Sequence, residues 1–177
     1  MQTKETYDEW LIYRIRTGDK DAFRLLVKRW YPILLKHLCF LVKNEEVAKD
    51  IAQDVWSVVF QKINTLREPA FFKVWIFKIA RYKSADWIKR EQKRKGLEEE
   101  EIKTSLYEEK TEEFENKIEM VRFTMKKLSG IDQQILNLFY LQECNIREIS
   151  EIIGIPTGTV KSRLFNAREH IKGIIKN

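Results

Sequence analysis

Glycine, proline, cysteine and histidine are all scarce in this 177-residue chain, which contains 6 Gly, 3 Pro, 2 Cys and 2 His. The low Gly and Pro content, with almost no alternation of apolar and polar residues, favours an all-α fold. Cys39 and Cys144 each stand alone in an apolar helical pattern, so we expect reduced thiols and no structural disulfide. His37 has no cysteine or carboxylate cluster beside it and is expected to be a core residue, so no metal site is predicted.

Long apolar runs are also missing. The longest, Trp30–Val42, is interrupted by Lys36 and His37 and is too short to span a bilayer. Residues 1–9 are polar where a secretory signal needs an apolar run. No glycine-rich nucleotide-binding loop is present, and no loop carries a catalytic arrangement of carboxylates, Ser, Cys or His. We therefore expect a cytoplasmic binding protein without membrane insertion, enzymatic activity or cofactor.

The charges fall into two basic blocks separated by an acidic one. Basic residues outnumber acidic ones by 21 to 12 in residues 1–95 and by 9 to 5 in 120–177, whereas acidic residues lead by 10 to 3 in 96–119. Two basic segments indicate two contacts with polyanions. The glutamate-rich stretch has few apolar anchors and is typical of a flexible linker. The sequence thus predicts two small helical domains, 1–95 and 116–177, joined by an acidic linker, 96–115.

The second domain contains the pattern of a helix-turn-helix. Asn145 and Glu148 have the spacing of a capping box at a helix start, and Gly154 is suited to end that helix. A second helix restarts at Pro156 and Thr157. Its predicted apolar stripe consists of Val160, Leu164, Ala167, Ile171 and Ile174. Two helices joined by so tight a turn can place the second one in the major groove of DNA.

Polar side chains beside this stripe are candidates for reading DNA. They are Lys161, Ser162, Arg163, Asn166 and Arg168. Arg and Lys pair with guanine acceptors or phosphates, Asn pairs with adenine, and Ser pairs with either kind of base. The alternative is an ordinary helical hairpin whose cations are merely solvated.

The first domain is predicted to contain four helices. The first covers about residues 7–17, the second starts at Asp19 or Asp21 with an interruption at Pro32, and Asn44 caps the third. On one face of the third helix Glu46, Asp50 and Asp54 are four residues apart, with Gln53 alongside. Such a line of carboxylates without matching cations indicates either a basic protein partner or a solvated face.

The fourth helix, following Pro69, interleaves cations and aromatic rings between residues 71 and 95. Cations that neutralise phosphates and rings that stack on unpaired bases are what single-stranded nucleic acid requires. Phe72, Trp75 and Ile79 have core spacing and are expected to pack inside, which leaves Tyr82, Trp87 and the cations as the candidate surface.

Several motifs in order along the chain resemble those of the extracytoplasmic-function (ECF) sigma factors of bacteria. They are residues 18–23 (GDKDAF), 50–56 (DIAQDVW), 75–81 (WIFKIAR), 128–129 (LS), 148–156 (EISEIIGIP), 158–164 (GTVKSRL) and 167–168 (AR). The resemblance covers about residues 10–94 and 116–175. It implies a first domain that binds polymerase and opens the minus-10 element, and a second that recognises the minus-35 element.

The resemblance also implies partners and site residues. The partners would be core RNA polymerase, through the clamp coiled coil of its largest subunit and its flap, promoter DNA and an anti-sigma factor. Polymerase would be contacted by Asp50, Gln53 and Asp54. The minus-10 DNA would be contacted by Lys78, Arg81, Tyr82, Lys83, Trp87, Lys89 and Arg90. The minus-35 DNA would be contacted by Thr159, Lys161, Ser162, Arg163, Phe165, Asn166 and Arg168.

Two positions depart from the family pattern. Tyr82 stands where the family usually has an Asn implicated in accepting a flipped-out base, and a tyrosine ring can stack on that base instead. Asn166 stands where a basic residue is common, which changes one contact with the upstream element.

Three other functions compete with initiation. A stand-alone helix-turn-helix transcriptional regulator explains residues 120–177 but leaves the third and fourth helices without a role. A nucleic-acid-processing enzyme requires a catalytic cluster that the sequence does not contain. An RNA-binding adaptor is compatible with a basic helix that carries aromatic rings.

Overall fold

In a computed structural model of the chain, the described residues are 4–95, 125 and 127–175, and every regular element among them is helical. The helices are α1 (Lys4–Arg16), α2 (Lys20–Val42), α3 (Glu45–Lys62), α4 (Phe72–Lys95), α5 (Gly130–Leu136), α6 (Ile146–Ile153) and α7 (Thr157–Ile175). Short 3-10 turns cover Ile63–Thr65 and Pro69–Phe71, and a π-helical turn covers Asn137–Leu141. The predicted all-α class is confirmed.

The chain divides into two compact units. One comprises Met1–Gln92 with Glu151–Ile153, and the other comprises Lys93–Ser150 with Gly154–Asn177. For brevity we name whole helices by their order in the chain: α1–α4 form the N-terminal unit and α5–α7 the C-terminal unit, so the last three residues of α4 and of α6 are named with their own helices. The proposed linker, 96–115, and the first residues of the predicted second domain lie outside the described residues, so these boundaries stay a prediction.

Local capping determines where the helices of the N-terminal unit begin. The Asp19 carboxylate accepts the backbone N–H groups of Asp21 and Ala22 at 2.9 and 3.2 Å, so Asp19 is the cap and α2 starts directly after it. Asn44 caps α3 as predicted, because its side chain accepts the N–H of Val47 at 3.1 Å. Pro32 lies inside α2 and marks no boundary, since the helix continues from Lys20 to Val42.

The core of the N-terminal unit is built around Trp30 of α2. Its ring meets the edges of Phe72 and Phe77 of α4 at centroid distances of 5.4 and 6.1 Å. His37 is buried with its ring 4.8 Å from that of Phe77, which confirms it as a core residue. Helix α3 contributes buried Ile51, Ala52, Val55, Trp56 and Val59.

The predicted core face of α4 is only partly right. Phe72 is buried, but Trp75 and Ile79 are half-buried at the border of the core. The fully packed residues are Phe72, Val74, Ile76, Phe77, Ala80 and Ser84. Their main line follows i, i+4 steps from Phe72 through Ile76 and Ala80 to Ser84, whereas the sequence pattern favours the neighbouring row of Trp75 and Ile79.

A buried carboxylate fastens α1 to α2. Asp8 accepts the indole N–H of Trp30 at 3.1 Å, and its other oxygen lies 2.7 Å from the guanidinium of Arg29. Arg16, at the end of α1, donates to the backbone carbonyl of Leu66. Both ends of α1 are therefore tied to the rest of the N-terminal unit.

The helix-turn-helix has the predicted geometry. The Asn145 side chain accepts the N–H groups of Arg147 and Glu148 at 2.9 and 3.0 Å, and the Glu148 carboxylate accepts the Asn145 N–H at 2.7 Å. Gly154 ends α6 with φ of +79°, a left-handed conformation that favours glycine. The turn therefore fixes where α7 begins.

The apolar stripes of α6 and α7 are buried largely as the sequence predicts. Buried residues are Ile149, Ile152, Ile153, Val160, Leu164 and Ala167. Ile171 is half-buried, and the side chain of Ile174 lies outside the described part of the chain. Within the described ranges, no helix has both the length and the apolarity needed to cross a bilayer.

Replacing Asn145 by Ala removes the acceptor for two N–H groups at the start of α6. We expect the free energy of unfolding of the C-terminal unit to fall by about 1 kcal/mol. Asn145→Ser is the matched control, because serine keeps an acceptor at the cap and should retain most of the stability. Urea unfolding followed by circular dichroism measures both variants, and equal losses would contradict the capping role.

Candidate nucleic-acid and protein interfaces

The predicted polymerase-binding residues share one exposed face of α3. Asp50, Gln53 and Asp54 are all exposed on the side opposite the buried stripe. Further along this face, Phe60 leaves 69% of its surface exposed although its ring contacts that of Phe23 at 5.3 Å. No sequence motif singles out Phe60, but its seven-residue spacing from Gln53 is a signal that would have placed it on this face.

The carboxylates of α3 are more compensated than the sequence indicated. The Lys49 ammonium lies 2.9 Å from Glu46 and 3.0 Å from Glu45, and these contacts raise the pKa of Lys49 above its usual value. Asp54 lies 3.3 Å from the ammonium of Lys83 on α4. Only Asp50, among the three carboxylates of the predicted stripe, has no ion-pair partner in the described part of the chain. The expectation of an uncompensated stripe was therefore wrong for Glu46 and Asp54.

Helix α4 presents cations and one prominent ring. Lys89 and Arg90 are exposed, while Lys78, Arg81 and Lys83 are half-buried. Tyr82 leaves 58% of its surface exposed and is in cation–π distance of Arg81, whose guanidinium lies 5.9 Å from the ring centroid. Trp87, the other predicted ring, is half-buried. Tyr82 is therefore the more accessible of the two rings for stacking on a base.

Helix α7 divides its predicted DNA-contacting residues into two groups. Lys161, Ser162, Phe165 and Asn166 are exposed, and Thr159 beside them is half-buried. The Ser162 hydroxyl donates to the backbone carbonyl of Thr159 at 3.1 Å, as helical serines often do. The exposed members of this group are available to a groove.

Two arginines of α7 instead contact other parts of the C-terminal unit. Arg163 donates to the Asp132 carboxylate of α5 at 3.0 Å. Arg168 donates through Nε to the Tyr140 hydroxyl at 2.6 Å, and its guanidinium lies 4.9 and 5.3 Å from the ring centroids of Phe139 and Tyr140. The sequence pattern did not reveal these contacts, because the paired residues are 28 to 31 positions apart.

The described residues contain no candidate metal centre on the faces of α3, α4 and α7. Within residues 4–95, 125 and 127–175, no group of three or more His, Cys, Asp or Glu is placed to hold a metal ion. Cys39 and Cys144 are free cysteines, and burial raises the pKa of the Cys39 thiol. The side chains exposed on these three faces are charged, hydrogen-bonding or aromatic ones.

Comparisons with known proteins follow the same division of the chain. The family model described as sigma-70 region 2 matches residues 26–94, and the one described as sigma-70, region 4 matches residues 118–171. The ECF RNA polymerase sigma-E factor of Haemophilus influenzae is 28% identical over 181 residues, with 96% of this chain and 95% of the relative covered. The ECF RNA polymerase sigma factor SigW of Bacillus subtilis is 26% identical over 174 residues, with 91% and 92% covered.

Two solved structures share the fold. The sigma factor RpoE of Bartonella quintana, in complex with the anti-sigma factor NepR, has a TM-score of 0.74 and 19% identity, and the match covers 89% of this chain and 98% of that one. CnrH, in complex with the cytosolic domain of CnrY, has a TM-score of 0.69 and 20% identity, and the match covers 96% and 97%.

The ion pair between Arg163 and Asp132 is expected to stabilise the C-terminal unit against unfolding, whereas Lys161 is not expected to interact with Asp132. A double-mutant cycle of Arg163→Ala and Asp132→Ala should give a coupling energy of about 0.5 to 1 kcal/mol in unfolding, since both groups are partly shielded from water. The matched cycle of Lys161→Ala with Asp132→Ala should give none. Equal coupling in the two cycles would show that the pair does not stabilise the C-terminal unit.

Proposed function

Since the chain belongs to the sigma-70 family as an RNA polymerase sigma factor of the ECF type, we propose that it works as a dissociable initiation subunit in the cytoplasm. It brings core polymerase to promoters and performs no chemical step of its own. The observation that supports this proposal is that α3, α4 and α7 each carry exposed polar or aromatic side chains beside a buried apolar row, among them Asp50, Tyr82 and Lys161.

The first surface, on α3, binds core polymerase. Asp50 supplies a carboxylate without an internal partner in the described part of the chain, and Gln53 and Asp54 extend the polar face. An acidic face of this kind suits a basic segment of the clamp coiled coil, because opposite charges steer the encounter and fix the orientation of the two helices.

The second surface, on α4, holds the melted minus-10 strand. Lys78, Arg81, Lys83, Lys89 and Arg90 neutralise phosphates, while Tyr82 and Trp87 offer rings. Stacking of Tyr82 on an unpaired base is supported by the exposure of its ring and by the Arg81 guanidinium beside it. Free energy for opening comes from these contacts with the separated strand, because binding favours the state in which the bases are accessible.

The third surface, on α7, recognises the minus-35 element as duplex DNA. Lys161, Ser162 and Asn166 face outward and can reach base edges or phosphates. Phe165, 62% exposed, offers an apolar contact such as that with a thymine methyl group. Thr159, Arg163 and Arg168 border this face and contribute to its shape and charge.

The acidic linker, residues 96–115, connects the two DNA contacts. Its length sets the effective concentration of the second contact once the first has formed. Its negative charge opposes nonspecific binding to DNA by the free chain. An anti-sigma factor that masks the two basic surfaces, on α4 and α7, is a further expected partner, and RpoE of Bartonella quintana, which shares the fold, was solved in complex with one.

Reconstitution with core polymerase tests the proposed function. The wild-type chain should direct run-off transcription from a subset of genomic fragments, and Asp50→Lys should abolish co-purification with core enzyme because it reverses the charge of the unpaired carboxylate. Asp21→Lys, an exposed acid of α2 outside this face, is the matched control and should bind normally. If Asp50→Lys still co-purifies, the docking surface is wrong; if wild-type holoenzyme starts no RNA chain, the function is wrong.

Tyr82 is expected to act through its ring. Tyr82→Ala should reduce the stability of the open complex by roughly 5- to 150-fold, since stacking of one base contributes about 1 to 3 kcal/mol. Tyr82→Phe keeps the ring and should retain most of the opening, which permanganate reactivity of unpaired thymines measures. Loss of opening in Tyr82→Phe to the level of Tyr82→Ala would mean that the hydroxyl, not the ring, recognises the base.

A further inference from the structure

The contact between Tyr140 and Arg168 points to a role that the motif residues of α7 do not include. Resting on the proposed recognition of duplex DNA, we propose that Tyr140 is a positioning residue which orients Arg168 and forms with it a binding site for one backbone phosphate at the edge of α7. Tyr140 lies 17 residues before the start of α7, outside the segment in which DNA contacts were predicted.

The hydrogen bond between Arg168 and Tyr140 leaves other donors of both side chains available for a phosphate. Arg168 uses Nε to donate to the Tyr140 oxygen, so its two Nη groups remain without a hydrogen-bond partner in the described part of the chain. Because the tyrosine oxygen acts as the acceptor, its own proton is free to be donated elsewhere. Two Nη groups and one hydroxyl proton can therefore meet the oxygens of a single phosphate.

The position of Arg168 on α7 favours the same ligand. Lys161, Phe165 and Arg168 follow at four- and three-residue steps, so half-buried Arg168 borders the exposed face that the first two residues present. Tyr140 leaves 55% of its surface exposed. The pair therefore lies at the border of the face proposed to enter the groove, where a helix meets the sugar-phosphate backbone.

The π-helical turn that carries Tyr140 is anchored by burial, a backbone hydrogen bond and ring contacts. Leu138, near its centre, is buried, and the Leu138 carbonyl accepts the N–H of Cys144 at 2.9 Å. The rings of Phe139 and Tyr140 meet edge to face at 5.0 Å, and both lie within cation–π distance of the Arg168 guanidinium. An arginine held in this way loses less conformational freedom when it binds a phosphate than one on a free stem.

The test uses full-length chain in holoenzyme and a short duplex that carries only the upstream element of a promoter transcribed by the wild-type holoenzyme. Tyr140→Phe keeps the ring but removes the hydroxyl, and we expect it to weaken binding roughly three- to tenfold. The slope of log affinity against log salt should stay unchanged, because no charge is lost. Arg168→Gln should reduce the magnitude of that slope by about 0.9, the value for one phosphate contact.

The double variant separates positioning from a structural effect. In the Arg168→Gln background most of the effect of Tyr140→Phe should disappear, since the hydroxyl then has no guanidinium to orient. Tyr13→Phe, an exposed tyrosine of α1, is the matched control and should bind the duplex as the wild type does.

Three outcomes would overturn the proposal. These are wild-type affinity in Tyr140→Phe, an unchanged salt slope in Arg168→Gln, or a Tyr140→Phe effect that persists in full without Arg168. Each can be observed while the wild-type holoenzyme still binds and transcribes, so failure of this proposal is distinct from failure of the proposed function.

Discussion

Burial of one apolar stripe on each helix is the constraint on which the rest of the structure depends. When a helix buries one row of side chains in the core, the opposite side of the helix is the one exposed to a partner. In α3 the buried row that contains Ile51 and Val55 turns Asp50 and Asp54 outward. In α7 the buried row that contains Val160 and Leu164 does the same for Lys161 and Phe165, which are proposed to face the groove. Core packing thus determines which side chains of each helix form the proposed binding surfaces.

The local features of the fold could be predicted from the sequence because their causes lie within a few residues. Asp19, Asn44 and Asn145 cap helices through bonds to N–H groups two or three residues ahead, and Gly154 ends α6 by its own backbone conformation. The stripe of α7 repeats at a regular period. Each of these signals can be read without knowledge of the tertiary structure.

The interactions that the sequence did not reveal join residues on different helices or turns. Asp54 meets Lys83, Arg163 meets Asp132 and Arg168 meets Tyr140, across separations of 28 to 31 residues. Helical periodicity predicts which residues share a face of one helix, but it does not predict which residue of another helix or turn that face contacts. The core face of α4 was partly misassigned for the same reason, since Trp75 and Ile76 are adjacent and only the packing of Trp30 and its neighbours decides between their rows.

The ion pair between Asp54 and Lys83 has a consequence for the order of assembly. One carboxylate belongs to the face proposed for polymerase, and its partner ammonium belongs to the face proposed for the melted strand. A polymerase cation that pairs with Asp54 releases Lys83, whose ammonium can then bind a phosphate. By thermodynamic linkage, a phosphate bound to Lys83 releases Asp54, whose carboxylate can then bind polymerase. Each ligand therefore favours the other, by less than about 1 kcal/mol for a pair this exposed. If these two faces bind as proposed, the free factor binds DNA slightly less well than the same helix inside holoenzyme, and unassembled copies then have less tendency to occupy the chromosome.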